Sequence, residues 1–114
     1  MIASFYAISF IGMVITTVMV TKSDPTDPSI IFAHNIAASP QPTDANNKFV
    51  ENRAKFWCNI CLSYVIEFSK HCTKCNRCCA DFDHHCIWVS NDIGRLNYVL
   101  FLRMMLFVLG TLSL

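Results

Sequence analysis

The sequence predicts a membrane α-helical protein that carries a small, irregular, cysteine-rich domain between two apolar segments. Residues 1–21 contain no charged side chain, and residues 98–114 contain only Arg103. All seven cysteines of the 114-residue chain lie between these segments, and hydrophobic residues make up 54% of it, which is high for a soluble protein. We therefore expect helices in a membrane on either side of a compact polar domain.

The first apolar segment, residues 1–21, is long enough to cross a bilayer. At about 1.5 Å of rise per residue, 21 helical residues span roughly 30 Å, the hydrocarbon thickness of a membrane. A secretory signal peptide is the alternative, but residues 1–5 contain no Lys or Arg for the basic start that such a peptide needs. The sequence therefore favours a transmembrane helix here.

The second apolar segment, residues 98–114, is slightly short for a full crossing. Arg103 lies early in it, where its long side chain can carry the guanidinium group back to the lipid headgroups. We predict a transmembrane helix that is truncated at the end of the sequence, and we expect the chain to be either an excerpt or a truncated product of a larger membrane protein.

The charges place the central region in the cytosol. All nine basic residues fall between Lys22 and Arg103, and basic residues accumulate on the cytosolic side of membrane proteins. In that reducing compartment, clustered cysteines indicate metal binding or catalysis rather than disulfides. The net charge of +1 argues against a nucleic-acid binder, which needs an excess of basic residues.

Residues 22–47 are predicted to be a Pro-rich cytosolic linker, followed by a cysteine-rich domain over residues 48–97. His34 is interpreted as a linker histidine without a ligand role. The helix-breaking residues of the linker are expected to interrupt any helix; they are Pro25, Pro28, Pro40 and Pro42.

Ten cysteine and histidine side chains within residues 58–86 are candidate metal ligands. Two Cys-x-x-Cys pairs, residues 58 and 61 and residues 72 and 75, have the spacing at which two thiolates bind one tetrahedral Zn²⁺ at about 2.3 Å. A block this short buries too little apolar surface to fold alone, so metal binding would supply the missing stability. The spacing leaves open which ligands share an ion.

The motif formed by these residues resembles the cysteine-rich domain of the DHHC palmitoyltransferases. It reads Cys58-x2-Cys61-x9-His71-Cys72-x2-Cys75-x2-Cys78, followed by Asp83-His84-His85-Cys86. The Asp-Pro pairs at residues 24 and 27 are similar to the family's Asp-Pro-Gly signature, without its glycine. The resemblance covers residues 58–101 and continues through Trp88, Asn91, Gly94, Asn97 and Phe101.

The resemblance implies a small irregular zinc-binding cytosolic domain with two interleaved zinc sites. The second site departs from the family, which has a cysteine where this chain has Asp92. A carboxylate is a harder ligand than a thiolate, so we expect weaker zinc binding there. The implied ligands of the first ion are Cys58, Cys61, His71 and Cys78, and those of the second are Cys72, Cys75, His85 and Asp92.

The resemblance also implies a protein S-acyltransferase, with palmitoyl-CoA as the acyl donor. Cys86 remains once the implied zinc sites are filled, and it would be the nucleophile that carries the acyl group to protein cysteines. His84 would act as its base, and Asp83 would orient that imidazole. Both zinc ions would be structural.

The implied partners are fatty acyl-CoA, protein substrates with cytosolic cysteines, and the membrane. The implied location is a multi-pass protein of the endomembranes, in the ER or Golgi. Cys79 is either packed or itself acylated. Four basic residues either contact the phosphates of CoA or form a solvated face; they are Lys70, Lys74, Arg77 and Arg95.

Two other departures from the family alter the surface around the site. The family's Lys-Pro-x-Arg run is replaced by residues 65–68, and Ile87 stands in place of a proline. One alternative function, in which Asp92 accounts for the loss of turnover, is a catalytically impaired, membrane-tethered zinc scaffold that binds partners. Another is a RING-like ubiquitin ligase module, against which the absence of a terminal Cys-x-x-Cys pair counts.

Overall fold

The computed structural model describes residues 2–38 and 54–113, which form three helices and six short strands. The helices are α1 (Ile2–Lys22), α2 (Pro28–Ala38) and α3 (Tyr98–Leu112). The strands form three separate antiparallel hairpins, β1–β2, β3–β4 and β5–β6. Their bounds are β1 Ala54–Cys58, β2 Ser63–Ile66, β3 Lys70–Cys72, β4 Arg77–Cys79, β5 His84–Cys86 and β6 Asn91–Ile93.

Helix α1 is the one helix within residues 2–38 and 54–113 that is long and apolar enough to cross a membrane. Thr16 and Thr17 donate their hydroxyl groups to the carbonyls of Gly12 and Met13, at 2.7 and 2.8 Å. Their polar atoms are thereby satisfied inside the helix, as a lipid environment requires. Helix α3 is also apolar but has only 15 residues.

Helices α1 and α3 pack closely where each presents a glycine. A Cβ atom at Gly12 would lie 2.5 Å from the ring of Phe107, and one at Gly110 would lie 3.2 Å from Oγ of Ser9. The missing side chain of Gly12 therefore lets an aromatic ring approach the α1 backbone. Below this contact, a buried apolar cluster joins both helices to the third hairpin through Val20, Cys86, Val89, Ile93 and Met104.

Helix α2 corrects the expectation that prolines exclude helical structure from residues 22–47. Pro28 is its first residue, where a fixed φ suits the helix and the missing N–H leaves no hydrogen bond unmade. Asp27 caps the helix, because its Oδ1 accepts a hydrogen bond from the Ser29 backbone N–H at 2.8 Å. The predicted linker beyond Ala38, with Pro40 and Pro42, and the predicted domain start at residues 48–53 lie outside the described residues.

The connection between α1 and α2 docks on the second hairpin. The N–H of Asp27 donates to the carbonyl of Cys78 at 2.9 Å, and the N–H of Ala80 donates to the carbonyl of Pro25 at 3.3 Å. Between them, Thr26 forms a β-bridge with Cys79. The connection therefore pairs with the outer edge of strand β4. This pairing holds the β3–β4 hairpin close to the C-terminal end of α1.

Candidate active site and metal centres

The first and second hairpins bring together one group of four ligand side chains. In β3–β4, His71 lies directly opposite Cys78, so both side chains project from the same face. Nδ1 of His71 lies 3.3 Å from Sγ of Cys61 and 3.8 Å from Sγ of both Cys58 and Cys78. The four ligand atoms all lie within 4.8 Å of one another.

The second and third hairpins form another group, from Cys72, Cys75, His85 and Asp92. His85 and Asp92 lie directly opposite each other in β5–β6. Nδ1 of His85 lies 3.4 Å from Sγ of Cys75, 3.7 Å from Sγ of Cys72 and 2.8 Å from Oδ1 of Asp92. The two groups contain the same residues as the two implied ligand sets.

The interleaving of the groups follows from the alternation of side chains along a strand. Successive side chains point to opposite faces, so the adjacent residues His71 and Cys72 of β3 must serve different groups. His71 joins the first group with Cys78, and Cys72 joins the second. The β3–β4 hairpin therefore contributes side chains to both groups of candidate metal ligands, which are named the metal-binding groups.

Each Cys-x-x-Cys turn ends in a residue with left-handed backbone conformation. Leu62 follows the first pair and Asn76 the second, and both have φ of 50°. This conformation is natural for Asn but costs roughly 1–2 kcal/mol for a residue such as Leu. In the first turn, the N–H of Cys61 donates to Sγ of Cys58 at 3.4 Å. The backbone of the first turn therefore already donates a hydrogen bond to one of the sulfur ligands.

The donor sets and their spacing are consistent with zinc. In a tetrahedral site with Zn–S of about 2.3 Å and Zn–N of about 2.0–2.1 Å, two sulfurs lie about 3.8 Å apart and sulfur and nitrogen about 3.6 Å apart. The Sγ atoms of Cys61 and Cys78 are 3.7 Å apart, and the sulfur–nitrogen separations run from 3.3 to 3.8 Å. In the second group, Oδ2 of Asp92 is buried without a hydrogen-bond partner in the described part of the chain. The sulfur and nitrogen donors therefore fit a metal ion in both groups. In the second, Nδ1 of His85 and Oδ1 of Asp92 lie at a hydrogen-bond distance of 2.8 Å and would separate slightly to bind one ion.

Burial raises the pKa of some of the sulfur ligands. It raises the pKa of Cys75 to about 11, and it raises the pKa of Cys78 further. The pKa of Cys58 is lowered, chiefly because its sulfur accepts the N–H of Cys61. For Asp92, burial acts to raise the pKa, but hydrogen bonds from Cys72 and His85 lower it overall. A bound cation would stabilise the thiolates against the cost of burial.

Alternation along β5 separates the two adjacent histidines. His85 turns toward the second metal-binding group, whereas His84 and Cys86 lie on the opposite face of the strand and both line one apolar cavity. Nδ1 of His84 lies 2.7 Å from Oδ2 of Asp83, a hydrogen-bond distance. This contact occupies Nδ1, so Nε2 is the ring nitrogen that does not face Asp83.

The cavity beside Cys86 has a volume of about 610 Å³ and lies between the third hairpin and the two apolar helices. The ring of Phe101 packs edge-on against His84, with centroids 5.3 Å apart. Cys86 itself is buried. The remaining wall is almost entirely apolar and consists of Met13, Thr17, Trp88, Val89, Met104, Met105, Val108 and Leu112.

The structure separates the four basic residues that were considered for CoA. Arg77 pairs with Asp24 at 3.1 Å, and Arg95 pairs with Asp81 through two contacts of 2.6 and 3.0 Å. Lys70 and Lys74 are exposed. Two of the four are therefore engaged in ion pairs, and the other two form part of the exposed surface.

Cys79 is packed rather than exposed. Its relative exposure is 0%, and burial raises its pKa to about 12. Of the two interpretations that the sequence left open, the structure therefore supports packing. His34 lies exposed on α2, outside both metal-binding groups.

Sequence reasoning missed the side chains that cap the end of α1. The Asn91 side chain donates to the carbonyls of Val20 and Ser23, at 2.8 Å each. The Asn97 side chain donates to Oγ of Ser23 and to the carbonyl of Asp92, at 2.9 Å each. The bonds from Asn91 satisfy carbonyls at the end of α1, and the two asparagines together attach the β5–β6 hairpin to that end. In the sequence, the two asparagines stood out only as part of a family pattern.

Comparison with known proteins gives a consistent result. The sequence profile of the family described as DHHC palmitoyltransferase matches residues 51–114. The chain is 34% identical over 107 residues to a putative ZDHHC-type palmitoyltransferase 1 of Dictyostelium discoideum, which covers 88% of this chain and 25% of that protein. It is 48% identical over 50 residues to palmitoyltransferase ZDHHC5-A of Danio rerio, covering 44% of this chain and 7% of that protein.

A plant relative extends the range of organisms. The chain is 49% identical over 49 residues to a probable protein S-acyltransferase 20 of Arabidopsis thaliana, which covers 43% of this chain and 7% of that protein. The chain thus spans a quarter of the length of the Dictyostelium relative and less than a tenth of the other two.

Proposed function

The chain belongs to the DHHC palmitoyltransferase family, and on this basis we propose that it forms the catalytic core of a protein S-acyltransferase. The acyl donor would be palmitoyl-CoA, and the acceptors would be cysteines of cytosolic proteins. The observation that carries the proposal is the arrangement on β5. Cys86 and His84 face an apolar cavity, His84 is held by Asp83, and the intervening His85 turns away to a metal-binding group.

In the first half-reaction, Cys86 would take the acyl group from the CoA thioester. Nε2 of His84 accepts the proton of the Cys86 thiol, and the thiolate attacks the carbonyl carbon of the thioester. The carbon–sulfur bond to CoA then breaks, and the CoA sulfur leaves with the proton that His84 returns. Asp83 holds Nδ1–H of His84 throughout, so that the same ring nitrogen accepts and returns the proton.

In the second half-reaction, a cysteine of the protein substrate would receive the acyl group. His84 accepts the proton of the incoming thiol, and that sulfur attacks the thioester carbonyl on Cys86. The bond to the Cys86 sulfur breaks, and His84 returns the proton to Cys86. The enzyme is thereby restored, with one thioester broken and one formed in each half-reaction.

The apolar cavity supports a long-chain fatty acyl group as the transferred group. Its walls come from α1, α3 and the tip of the third hairpin, and Cys86 lies at their junction. An acyl chain in this cavity would be removed from water, while its thioester stays beside the polar pair of Asp83 and His84. Because the walls belong to helices that are expected in the bilayer, the acyl chain would lie at membrane depth.

Zinc would have a structural role in this enzyme. The first ion would be held by the group of Cys58, Cys61, His71 and Cys78, and the second by the group of Cys72, Cys75, His85 and Asp92. The ions would supply cross-links between hairpins that bury little apolar surface. The second group would also fix His85 and thereby the direction of its neighbours in β5.

We further propose that the protein is a multi-pass membrane protein of the ER or Golgi, with the cysteine-rich domain in the cytosol. Helix α1 is a candidate span, and the basic residues lie between α1 and the first turns of α3. Trp88, whose side chain is 88% exposed, and Tyr98 would lie in the headgroup region, where amphipathic aromatic side chains are enriched.

The proposed function is tested by labelling the purified protein with a fatty acyl-CoA analogue. We expect a hydroxylamine-sensitive label on Cys86, because a thioester is cleaved by that reagent. Cys86→Ser should abolish the label and leave the zinc content unchanged. Cys79→Ala removes a buried thiol outside both metal-binding groups and should keep the label.

The scaffold alternative predicts a different result in the same experiment. A protein that binds zinc but gives no label in any variant would be a zinc scaffold rather than an acyltransferase. A Cys86→Ser protein that lost zinc, or still accepted the label at full yield, would show that Cys86 is not the nucleophile.

A further inference from the structure

Two buried atoms at the edge of the second metal-binding group face each other. Oδ2 of Asp92 lies 3.5 Å from Nε of Arg77, and the Asp92 side chain is 0% exposed. Neither atom has a hydrogen-bond partner among the residues that the structure describes. Burying a polar atom without a hydrogen bond costs free energy of folding. The approach of these two opposite charges therefore indicates a specific role for Arg77 beside Asp92.

The two oxygens of Asp92 have different surroundings. Oδ1 points into the group, 2.8 Å from Nδ1 of His85, whereas Oδ2 points outward to Arg77. A thiolate at this position would present a single donor atom with no second atom to accommodate. A carboxylate in the same place must have its second oxygen held, or it can rotate away from the ion.

From this geometry we propose that Arg77 is a positioning residue for the second metal centre, which orients Asp92 so that one oxygen binds the ion. The inference rests on the proposed zinc binding and adds a residue outside the ligand set. Ligating carboxylates are commonly held by an outer partner of this kind, whose loss weakens metal binding.

Arg77 is itself held from two further directions. One terminal nitrogen lies 3.1 Å from Oδ1 of Asp24, in the connection after α1, and the other donates to Oδ1 of Asn91 in β6. The planar guanidinium group thus uses three nitrogens toward three side chains. A lysine offers one nitrogen at the end of a flexible chain and cannot reproduce this arrangement.

Charge supports the same role. Two thiolates, one carboxylate and Zn²⁺ leave the second group with one net negative charge, and three thiolates with Zn²⁺ leave the same charge on the first. Asp92 and Cys72 are buried, so the charge of the second group needs a nearby cation. Arg77 supplies this positive charge whether the fourth ligand is a carboxylate or a thiolate. Only a carboxylate, however, has a second oxygen that Arg77 must also orient.

This difference allows a test by a double-mutant cycle. The purified protein and its Arg77→Gln, Asp92→Cys and double variants are loaded with zinc, and the two ions are titrated with a graded series of chelators. We expect Arg77→Gln to weaken retention of one of the two ions by about 10–100-fold in the Asp92 protein. In the Asp92→Cys background, the same change should cost less than about tenfold. Arg77→Lys should not restore wild-type retention.

Lys74→Gln is the matched control, since it removes one positive charge from the turn of the same hairpin. No ion pair of Lys74 is present within residues 2–38 and 54–113, and the variant should retain both ions like the wild type. The ion of the first group is an internal reference and should be unaffected by any of these changes.

Three outcomes would overturn the inference: equal loss of zinc in the wild-type and Asp92→Cys backgrounds, no loss in either, or a wild type that holds fewer than two ions. Equal loss would mean that Arg77 only supports the fold. Labelling of Cys86 on the same samples reports separately on acyl transfer. A missing label with the expected zinc pattern would reject the enzyme and leave the role of Arg77 in place.

Discussion

At the scale of single residues, Asp27 shows how one carboxylate can join two parts of the chain. Its Oδ1 caps α2 through the N–H of Ser29, and its Oδ2 accepts the N–H of Ile66 at 3.0 Å and the hydroxyl of Ser69. The side chain is completely buried. In the sequence this residue stood out only as part of an Asp-Pro pair, because Ile66 and Ser69 lie about 40 positions away.

We predict that Asp27→Asn destabilises the cysteine-rich domain by about 1–3 kcal/mol. An amide offers one oxygen and one NH₂ group, so a donor would face the donors of Ile66 or Ser69. Thermal unfolding followed by circular dichroism would measure the loss. Asp81→Asn is the control, since its partly exposed ion pair with Arg95 contributes about 0–1 kcal/mol and Asn tolerates its positive φ. Equal midpoints for both variants would contradict the role of Asp27.

At the scale of elements, Gly94, just after the third hairpin, packs against the backbone after β4 without room for a side chain. A Cβ atom at Gly94 would collide with the backbone carbonyl oxygen of Ala80 and would lie 2.5 Å from Sγ of Cys79. The N–H of Arg95 donates to the same carbonyl at 2.8 Å, so the two segments are in direct backbone contact. Gly94 is therefore required by a close approach rather than by its φ angle.

Gly94→Ala should destabilise the domain by about 1–3 kcal/mol, because a backbone carbonyl cannot move aside as a side chain can. Gly110→Ala in α3 is the matched control. There the nearest atom is Oγ of Ser9 at 3.2 Å, which can rotate, and alanine favours helix by about 0.5–1 kcal/mol. Limited proteolysis and thermal unfolding of both variants would measure the difference. A Gly94→Ala protein as resistant as Gly110→Ala would mean that the two segments separate easily.

At the scale of the whole molecule, the two apolar helices and the hairpin domain are stabilised in different ways. The helices α1 and α3 satisfy their backbone hydrogen bonds internally, whereas the domain consists of three separate two-stranded hairpins. An isolated hairpin is marginal in water, and these three share no continuous sheet. The two groups of Cys, His and Asp side chains connect each hairpin to the next, together with hydrogen bonds such as the one from Arg77 in β4 to Asn91 in β6.

Removal of the metal should therefore unfold the domain and leave the helices intact. We expect a strong chelator to abolish the protease resistance of residues 54–97, while helical circular dichroism from α1 and α3 persists, because ligand binding supplies folding free energy only to the domain. Readdition of zinc should restore resistance. Unchanged resistance in a sample shown to be zinc-free by elemental analysis would reject the metal core, and the same sample refolded with zinc controls for irreversible damage.

Much of the architecture could be predicted from the sequence, because its causes are local. Apolar runs with at most one charged residue predicted α1 and α3, and Cys-x-x-Cys spacing predicted metal-binding turns, since both depend on residues close together in the chain. The family motif singled out the eight side chains that the structure gathers into two groups. It also named Asp83, His84 and Cys86, whose catalytic roles remain proposals.

Tertiary structure alone decided the features that depend on distant contacts. Helix α2 begins at Pro28 because Asp27 caps it and is buried against β2, whereas the prolines of the sequence predicted no helix there. The engagement of Arg77 with Asp24, Asn91 and Asp92 likewise joins three segments of the chain. The physical reason is that propensity and spacing act over a few residues, whereas the burial of a charge depends on what the fold packs around it.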